Sequence, residues 1–245
     1  TVSPGDSVLV PAPSFGEYAR EVRLQGGGPE FVPQDELLAA DPGPHALAIV
    51  CNPNNPTGEA ADAEALRAFV ERAQEGSTPI LVDEAFLGFT DEPTLSGTEG
   101  VIVARSLTKL FGLPGLRAGF AVATGDLLDR LERARLTWNL GVPAMQVGEQ
   151  AMRAEEFVRK TRDRVTRERS QLRATLSERY EIHESDAPSL LLEVDGSVTN
   201  LLERARERGI ILRDARTFRG LDSHVRAAVR TPAENRRLEE VLLNV

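Results

Sequence analysis

The first half of the chain repeats one pattern, a short and wholly apolar run followed by a stretch with helical periodicity. The apolar runs are shorter than typical helices and have no polar face, as expected for strands that are buried on both sides of a sheet. Amphipathic helical stretches cover residues 15–24 and 62–74, the second with Leu66, Phe69 and Val70 on one face. The predicted strands lie at residues 7–11, 46–50, 79–82, 101–104 and 118–123. This alternation predicts an α/β fold with a mostly parallel sheet and helices on both faces.

The second half of the chain has a different character. Residues 144–180 are predicted to be strongly helical and rich in Arg and Glu, and the charged run at residues 159–173 is typical of a solvated face. Further strands and helices are predicted after it, at residues 189–194, 198–208, 210–212, 225–229 and 233–243. Elements in that order predict a smaller α+β C-terminal domain. We therefore expect two domains, residues 1–142 and residues 143–245.

Composition argues against several kinds of partner. The chain has 29 basic and 38 acidic residues and a net charge of -9, which disfavours nucleic-acid binding and suits a cytoplasmic protein. Its one cysteine, Cys51, excludes an intrachain disulfide and is expected to be a small buried residue at a strand end. The histidines, His45, His183 and His224, do not have the spacing of a metal site. No apolar run approaches the length of a membrane span, so we expect neither metal nor membrane binding.

Polar clusters follow three of the predicted strands. They lie at residues 52–58, 83–86 and 105–109. Ligands of open α/β sheets bind at the carboxyl ends of the strands. Taken singly, these clusters are a turn, a helix cap and a solvated lysine. All three at successive strand ends predict one functional site.

These clusters carry the motifs Asn-Asn-Pro-Thr-Gly, Asp-Glu-Ala-Phe and Ser-Leu-Thr-Lys-Leu-Phe-Gly-Leu-Pro-Gly-Leu-Arg-Ala-Gly. In this order they resemble the core motifs of the fold-type I aminotransferase family (class I/II), and the resemblance covers essentially the whole chain. The lysine motif with its following arginine is the most specific part. The resemblance implies an enzyme that uses pyridoxal 5'-phosphate (PLP), a PLP-binding large domain, and a homodimer with active sites at the interface.

The resemblance implies a cofactor role for five residues of these motifs. Lys109 is the catalytic residue whose amine holds PLP covalently. Asp83 faces the pyridine nitrogen and keeps it protonated. Asn55 donates to the phenolic oxygen, and Ser106 and Arg117 bind the phosphate.

Further residues are implied to contact the cofactor or the substrate. Phe15 falls where the family stacks an aromatic ring on PLP, although a core aromatic at a helix start explains it equally well. Phe86 is the last residue of the Asp-Glu-Ala-Phe motif and is implied to lie next to the phenolic oxygen of PLP. Arg226 matches the arginine that binds the substrate's α-carboxylate. Arg213 matches a phosphate-binding position, and Arg230 is a further candidate.

Two groups within this family fit, the histidinol-phosphate aminotransferases and the threonine-phosphate decarboxylases of cobalamin biosynthesis. Both act on a small phosphorylated amine or amino acid, so Arg213 does not separate them. Phe86 stands where the aminotransferases usually have Tyr, and residues 136–142, 218–222 and 228–235 resemble the decarboxylases more. We therefore favour L-threonine O-3-phosphate decarboxylase, with histidinol-phosphate or another class I/II transamination as the alternative.

The family normally has a further segment before the point where this chain begins, with an edge strand and a Gly-rich loop that binds the cofactor phosphate. The resemblance therefore implies a large domain truncated at its N-terminus, so we expect residues 1–245 alone to bind PLP weakly. Two other classes of function are a sensor domain of this fold and a non-catalytic fragment. The sequence has no basic winged-helix domain, and it retains Lys109, Asp83, Asn55 and Arg117, which favours an enzyme.

Overall fold

The computed structural model describes residues 2–244 and arranges the strands in two sheets. The large sheet has the order β2-β1-β3-β4-β5-β6. Its first five strands in that order pair in parallel, and β6 runs antiparallel to β5. The strands are β1 (Ser7–Ala12), β2 (Gly28–Pro33), β3 (Leu47–Cys51), β4 (Ile80–Asp83), β5 (Val101–Ser106) and β6 (Gly119–Val122). The predicted α/β fold with a mostly parallel sheet is confirmed.

Helices α1 (Glu17–Leu24) and α2 (Ala63–Glu75) cover opposite faces of the large sheet. Asp62 caps α2 by accepting from two backbone amides of its first turn. The helix then buries Phe69 and its apolar neighbours against β3, β4 and β5. On the other face, α1 buries its apolar side against β1 and β3. Both faces of the central strands are therefore inside the core, which is why their sequences are continuously apolar.

The small sheet is antiparallel and has the order β7-β8-β10-β9. Its core contains fully buried leucines of β8, packed with α5 and α7. The remaining elements are α3 (Gly125–Ala134), α4 (Val142–Met152), α5 (Glu155–Leu176), β7 (Glu181–Ile182), β8 (Ser189–Glu193), α6 (Val198–Glu207), β9 (Arg213–Asp214), β10 (His224–Ala228) and α7 (Pro232–Leu243). None of the described helices is long and apolar enough to cross a membrane.

The structure differs from the sequence prediction in several elements. The helical range predicted at 144–180 is divided into two helices, because Ala154 leaves the helical conformation and separates α4 from α5. The strand predicted at 210–212 is also displaced, since pairing with β10 begins only at Arg213, and Ile211 is 88% exposed. β2, β7 and α3 have no predicted counterpart. β2 contains Gly and Pro, residues that disfavour strands, and it forms at the sheet edge through pairing with β1.

Candidate active site

The three polar clusters lie side by side at the carboxyl edge of the large sheet. Residues 52–58, here called the asparagine loop, follow β3, and Asp83 ends β4. Residues 106–117, the lysine loop, start at the end of β5. Asp83 is in register with Cys51 of β3 and with Ala104 of β5. Because neighbouring strands lie about 4.8 Å apart, the two loops begin roughly 10 Å from each other, one on each side of Asp83.

The asparagine loop is held by hydrogen bonds to the segment after β1. Asn54 is completely buried. Its Nδ2 donates to the carbonyl oxygen of Pro13 and to Thr57 Oγ1, each at 3.0 Å. Its Oδ1 accepts from Ser14 Oγ at 2.8 Å. A buried amide satisfied on both sides fixes the loop, so the half-buried side chain of Asn55 has a defined position.

Asp83 is held by two donors. The hydroxyl of Tyr18 donates to its Oδ2 at 2.6 Å, and the backbone amide of Ala85 donates to its Oδ1 at 2.9 Å. Burial, with the nearby Cys51 and Asp83, raises the pKa of Tyr18 well above its ordinary value, so this hydroxyl keeps its proton and remains a donor. Tyr18 also contacts the ring of Phe15 edge to face, with centroids 5.5 Å apart. One buried tyrosine therefore supports both Asp83 and Phe15.

The sequence pattern indicates Tyr18 only as an apolar-face residue of α1. Its hydrogen-bond partner is 65 positions away, and helical periodicity carries no information about such a contact. Cys51 lies beside the pair and is buried, as predicted. Burial raises the pKa of its thiol to about 12, so the thiol stays protonated.

Glu84 follows Asp83 but points away from it, as alternating residues of a strand do. It is only 2% exposed. Its carboxylate accepts from Arg105 Nη1 at 2.8 Å, from Thr94 Oγ1 at 2.6 Å and from the amide of Leu95 at 2.8 Å. The ion pair joins the ends of β4 and β5 and so fixes the spacing between Asp83 and the lysine loop. No motif in the sequence indicates this ion pair between Glu84 and Arg105.

The lysine loop is more open than the asparagine loop. Lys109 is exposed, and its Nζ lies 5.4 Å from the ring centroid of Phe86, which follows β4. The hydroxyls of Ser106 and Thr108 are 2.7 Å apart. The amine therefore lies beside the turn that follows Asp83.

Arg117 ends the lysine loop with an exposed side chain and a left-handed backbone, φ 50°. Its guanidinium donates to the carbonyl oxygen of Pro114 at 3.2 Å. The structure thus brings Asn55, Asp83 and Ser106 to one edge of the sheet, whereas Arg117 is turned toward its own loop.

The asparagine loop also contacts the small sheet. The carbonyl oxygen of Gly58 accepts from the amides of Asp186 and Ala187 at 2.7 and 3.1 Å. Arg169 of α5 donates to the carbonyl oxygen of Asp186 at 2.6 Å. These contacts align the small sheet with the loop, and Arg226 Nη1 donates to Asn55 Oδ1 across the gap.

Arg226 and Arg213 form a pair of guanidiniums on the small sheet. They are opposite each other in the register of β10 and β9, so they lie on the same face. Burial, and secondarily the positive charge of Arg213, lowers the pKa of Arg226. Among residues 2–244 neither guanidinium lies within ion-pair distance of a carboxylate.

Arg230 is directed elsewhere. Its guanidinium forms an ion pair with Glu234 at 2.9 Å at the start of α7. It lines a separate depression with residues 209–212. Within residues 2–244, no group of three or more His, Cys, Asp or Glu side chains is arranged to hold a metal ion.

The comparisons with known proteins agree with this geometry. The model of the family "Aminotransferase class I and II" matches residues 1–242. Histidinol-phosphate aminotransferase 1 of Archaeoglobus fulgidus is 32% identical over 251 residues, covering 100% of this chain and 77% of that protein. A putative threonine-phosphate decarboxylase of Caldanaerobacter subterraneus subsp. tengcongensis is 31% identical over 255 residues, covering 96% and 69%.

A solved structure is similar over the same range. L-threonine-O-3-phosphate decarboxylase from Porphyromonas gingivalis superposes with a TM-score of 0.88 at 26% identity, covering 98% of this chain and 76% of that chain. The matched range includes both sheets and all three polar clusters. The chain therefore belongs to the class I and II aminotransferase family and is a PLP-dependent enzyme of transferase or lyase type.

Proposed function

We propose that the carboxyl edge of the large sheet is the PLP site, with Lys109, Asp83, Asn55, Ser106 and Arg117 as its polar contacts. The donors fit the cofactor chemically. They comprise an amine for its aldehyde, a carboxylate for its ring nitrogen, an amide for its phenolic oxygen, and a hydroxyl and a guanidinium for its phosphate. The width of roughly 10 Å between the flanking loops matches a substituted pyridine ring.

PLP, when bound, supplies an electron sink for the bond that breaks at the substrate's α-carbon. Lys109 Nζ would hold the cofactor covalently, and its amine would move a proton to or from the substrate's α-carbon. Asp83 would accept a hydrogen bond from the protonated ring nitrogen, and Tyr18 holds that carboxylate in place. Phe15 lies beside the site through its contact with Tyr18, which supports a stacking role for its ring.

The substrate is a small phosphorylated amino acid or amine. The observation that carries this proposal is the pair Arg226 and Arg213, two neighbouring guanidiniums without a carboxylate partner among the described residues. Arg226 is held beside the cofactor edge by Asn55, so it suits the α-carboxylate. Arg213 is more exposed and suits the phosphate. Arg230 remains a prediction, because Glu234 already neutralises it.

Within this class we favour decarboxylation of L-threonine O-3-phosphate. Phe86 lies next to Lys109 and supplies no hydroxyl to the cofactor, in contrast to the tyrosine expected of the aminotransferases. A decarboxylase is among both the sequence relatives and the similar structures. The second candidate is transamination of histidinol phosphate, which the 32% identical relative favours.

One incubation distinguishes these candidates. The PLP-loaded protein is mixed with L-threonine O-3-phosphate and a 2-oxo acid, and the products are identified by mass. Carbon dioxide with an aminopropanol phosphate is the expected result. Amino transfer to the oxo acid would instead establish an aminotransferase, and histidinol phosphate would be tested next. Turnover that survives in Lys109→Ala would overturn the PLP-enzyme mechanism.

We also infer that the protein is a homodimer. Large apolar side chains are exposed along residues 136–152, among them Trp138, which is 98% exposed, and Val142 and Met145. An exposed apolar patch of this kind suits an interface between copies of the chain. The mass measured by light scattering is expected to be twice that of the monomer, and Trp138→Ser is expected to reduce it toward the monomer value.

A further inference from the structure

Phe218 touches both of the arginines that the proposed function assigns to the substrate. It follows a short 3₁₀ turn (Ala215–Thr217) and is 7% exposed. It packs with Leu191, Ala215 and Leu221 in a small apolar cluster. Leu191 is in register with Arg226 across β8 and β10, so this cluster lies on the face of the small sheet that carries the two guanidiniums.

The ring of Phe218 faces both cations. The guanidinium carbons of Arg213 and Arg226 lie 5.7 and 5.8 Å from its centroid. Like charges directly opposite each other on neighbouring strands repel. An aromatic face attracts each cation and leaves its hydrogen-bonding edge free. The ring therefore offsets the repulsion without occupying the donors that an anion needs.

The carboxylate of Asp214 does not perform this task. Asp214 follows Arg213 in sequence, but its two oxygens accept from Arg216 at 3.0 and 2.8 Å. Arg213 is left with a hydrogen bond to the hydroxyl of Thr217 at 3.0 Å. Both guanidiniums thus keep their charge available, and Phe218 is the group that they share.

The segment that carries Phe218 is also attached to the large sheet. The guanidinium of Arg219 lies 4.4 Å from the ring centroid of Phe31 on β2. β2 belongs to the sheet that carries the proposed cofactor edge. This contact therefore helps to hold the ring of Phe218 in position relative to that edge as well as to the two arginines.

We propose that Phe218 is a positioning residue that sets the spacing of the two guanidiniums and so selects substrates with two anionic groups on a short linker. This inference rests on the proposed function. A ligand with one anionic group uses one guanidinium and depends little on their spacing, whereas a carboxylate and a phosphate on one small molecule must meet both at once.

The test compares variants with and without a ring. Phe218→Leu keeps an apolar side chain but removes the aromatic face, and Phe218→Tyr keeps the face. Phe69→Leu is the control, because it removes a buried ring with its own cation–π contact, to Arg72 on α2, which involves neither of the two arginines. Binding of L-threonine O-3-phosphate and of inorganic phosphate is followed through the absorbance of the bound cofactor, and PLP affinity is measured separately.

We expect Phe218→Leu to bind L-threonine O-3-phosphate roughly tenfold more weakly, as the loss of two cation–π contacts implies. Its affinity for inorganic phosphate should change less than about threefold, and its PLP affinity and kcat should stay near those of the unchanged protein. Phe218→Tyr should restore most of the substrate affinity. Arg219→Ala, which leaves the apolar cluster intact, should weaken substrate binding in the same sense but less.

Equal weakening toward both ligands, no weakening, or failure of Phe218→Tyr to restore binding would overturn the positioning role. Loss of PLP binding or of folding in Phe218→Leu, together with unchanged substrate binding in Arg219→Ala, would also overturn it. If the unchanged protein binds PLP but responds to no phosphorylated amine or amino acid, the proposed substrate class itself fails. These results separate the inference from the function on which it rests.

Discussion

The asparagine loop and the lysine loop follow neighbouring regions of the same sheet edge, but they are stabilised in different ways. Asn54, in the first loop, is completely buried and hydrogen-bonded on both sides of its amide. In the second, Lys109 and Arg117 are exposed, and the side-chain hydrogen bonds of Ser106 and Arg117 lie within the loop itself.

The asparagine loop therefore belongs to the structural framework of the site, whereas the lysine loop carries the reactive amine. The asparagine loop connects β1, β3 and the small sheet, so a change there is transmitted to several elements. The lysine loop presents an amine that must exchange partners during a reaction, and tight burial would prevent that. We therefore expect changes in the first loop to lower stability and changes in the second to lower activity.

The largest expected effect is that of Lys109→Ala. Turnover should fall by about three orders of magnitude or more, because the variant lacks both the covalent attachment and the proton carrier, while the free energy of unfolding of the apoprotein changes little. Lys160→Ala is a matched control, since Lys109 and Lys160 are the only lysines in the chain and Lys160 is an exposed partner of Glu156. After borohydride reduction, mass spectrometry should find the cofactor on Lys109, and modification of Lys160 would contradict the assignment.

Two glycines provide the sharpest comparison of the loops. Gly58 has φ +86°, and an added Cβ would collide with the side chain of Ser185. Gly112 has φ +61°, with no atom within 4 Å of that position. Gly58→Ala should therefore lower the free energy of unfolding by about 2–4 kcal/mol through strain and overpacking. Gly112→Ala should cost only about 1 kcal/mol, and equal costs in urea unfolding would refute the distinction.

Tyr18→Phe tests the hydrogen bond through which helix α1 supports Asp83. Removing the hydroxyl deletes the hydrogen bond to Asp83 but keeps the ring against Phe15. Since hydrogen bonds to charged groups contribute about 1.5–3 kcal/mol, PLP should bind at least roughly tenfold more weakly in an absorbance titration. The control is Tyr180→Phe, which loses a buried hydrogen bond to the carbonyl oxygen of Leu242 in the other half of the chain. It should lower stability and leave PLP affinity unchanged.

The smallest effects are expected for two hydroxyl deletions. Ser14→Ala removes the buried hydrogen bond to Asn54 and should lower the free energy of unfolding by about 1–2 kcal/mol. Thr108→Val removes the contact with Ser106 in the half-buried lysine loop and should cost about 0.5 kcal/mol or less. Thermal unfolding of the two apoproteins measures both, and a larger loss for Thr108→Val would reverse the comparison.

Much of the large sheet could be predicted from sequence because its strands are continuously apolar and end in polar clusters. The prediction failed where packing partners decide the structure. The break between α4 and α5 at Ala154 lies within one continuous helical pattern, and β2 forms only because β1 offers its edge. The domain division after residue 142 stays a prediction.

The supporting residues of the site were harder to foresee than its motifs. Asp83, Asn55 and Lys109 belong to short motifs that can be read directly. Tyr18 and Phe218 act on residues that are distant in sequence or on the other side of a turn, and each looks like an ordinary core aromatic in the sequence. Their roles depend on tertiary contacts that no local pattern encodes.

The register of β9 has a consequence for how this protein can change. β9 contains two residues of opposite charge, and pairing with β10 places Arg213 beside Arg226. A slip of one residue would place Asp214 opposite Arg226 instead. The two side chains would then form a salt bridge, and the pair of guanidiniums that could bind an anion would be lost. An insertion or deletion that shifted this register would therefore abolish the anion site while leaving every arginine in the sequence. In such a lineage the loss of function would be invisible to any inspection of the motifs alone.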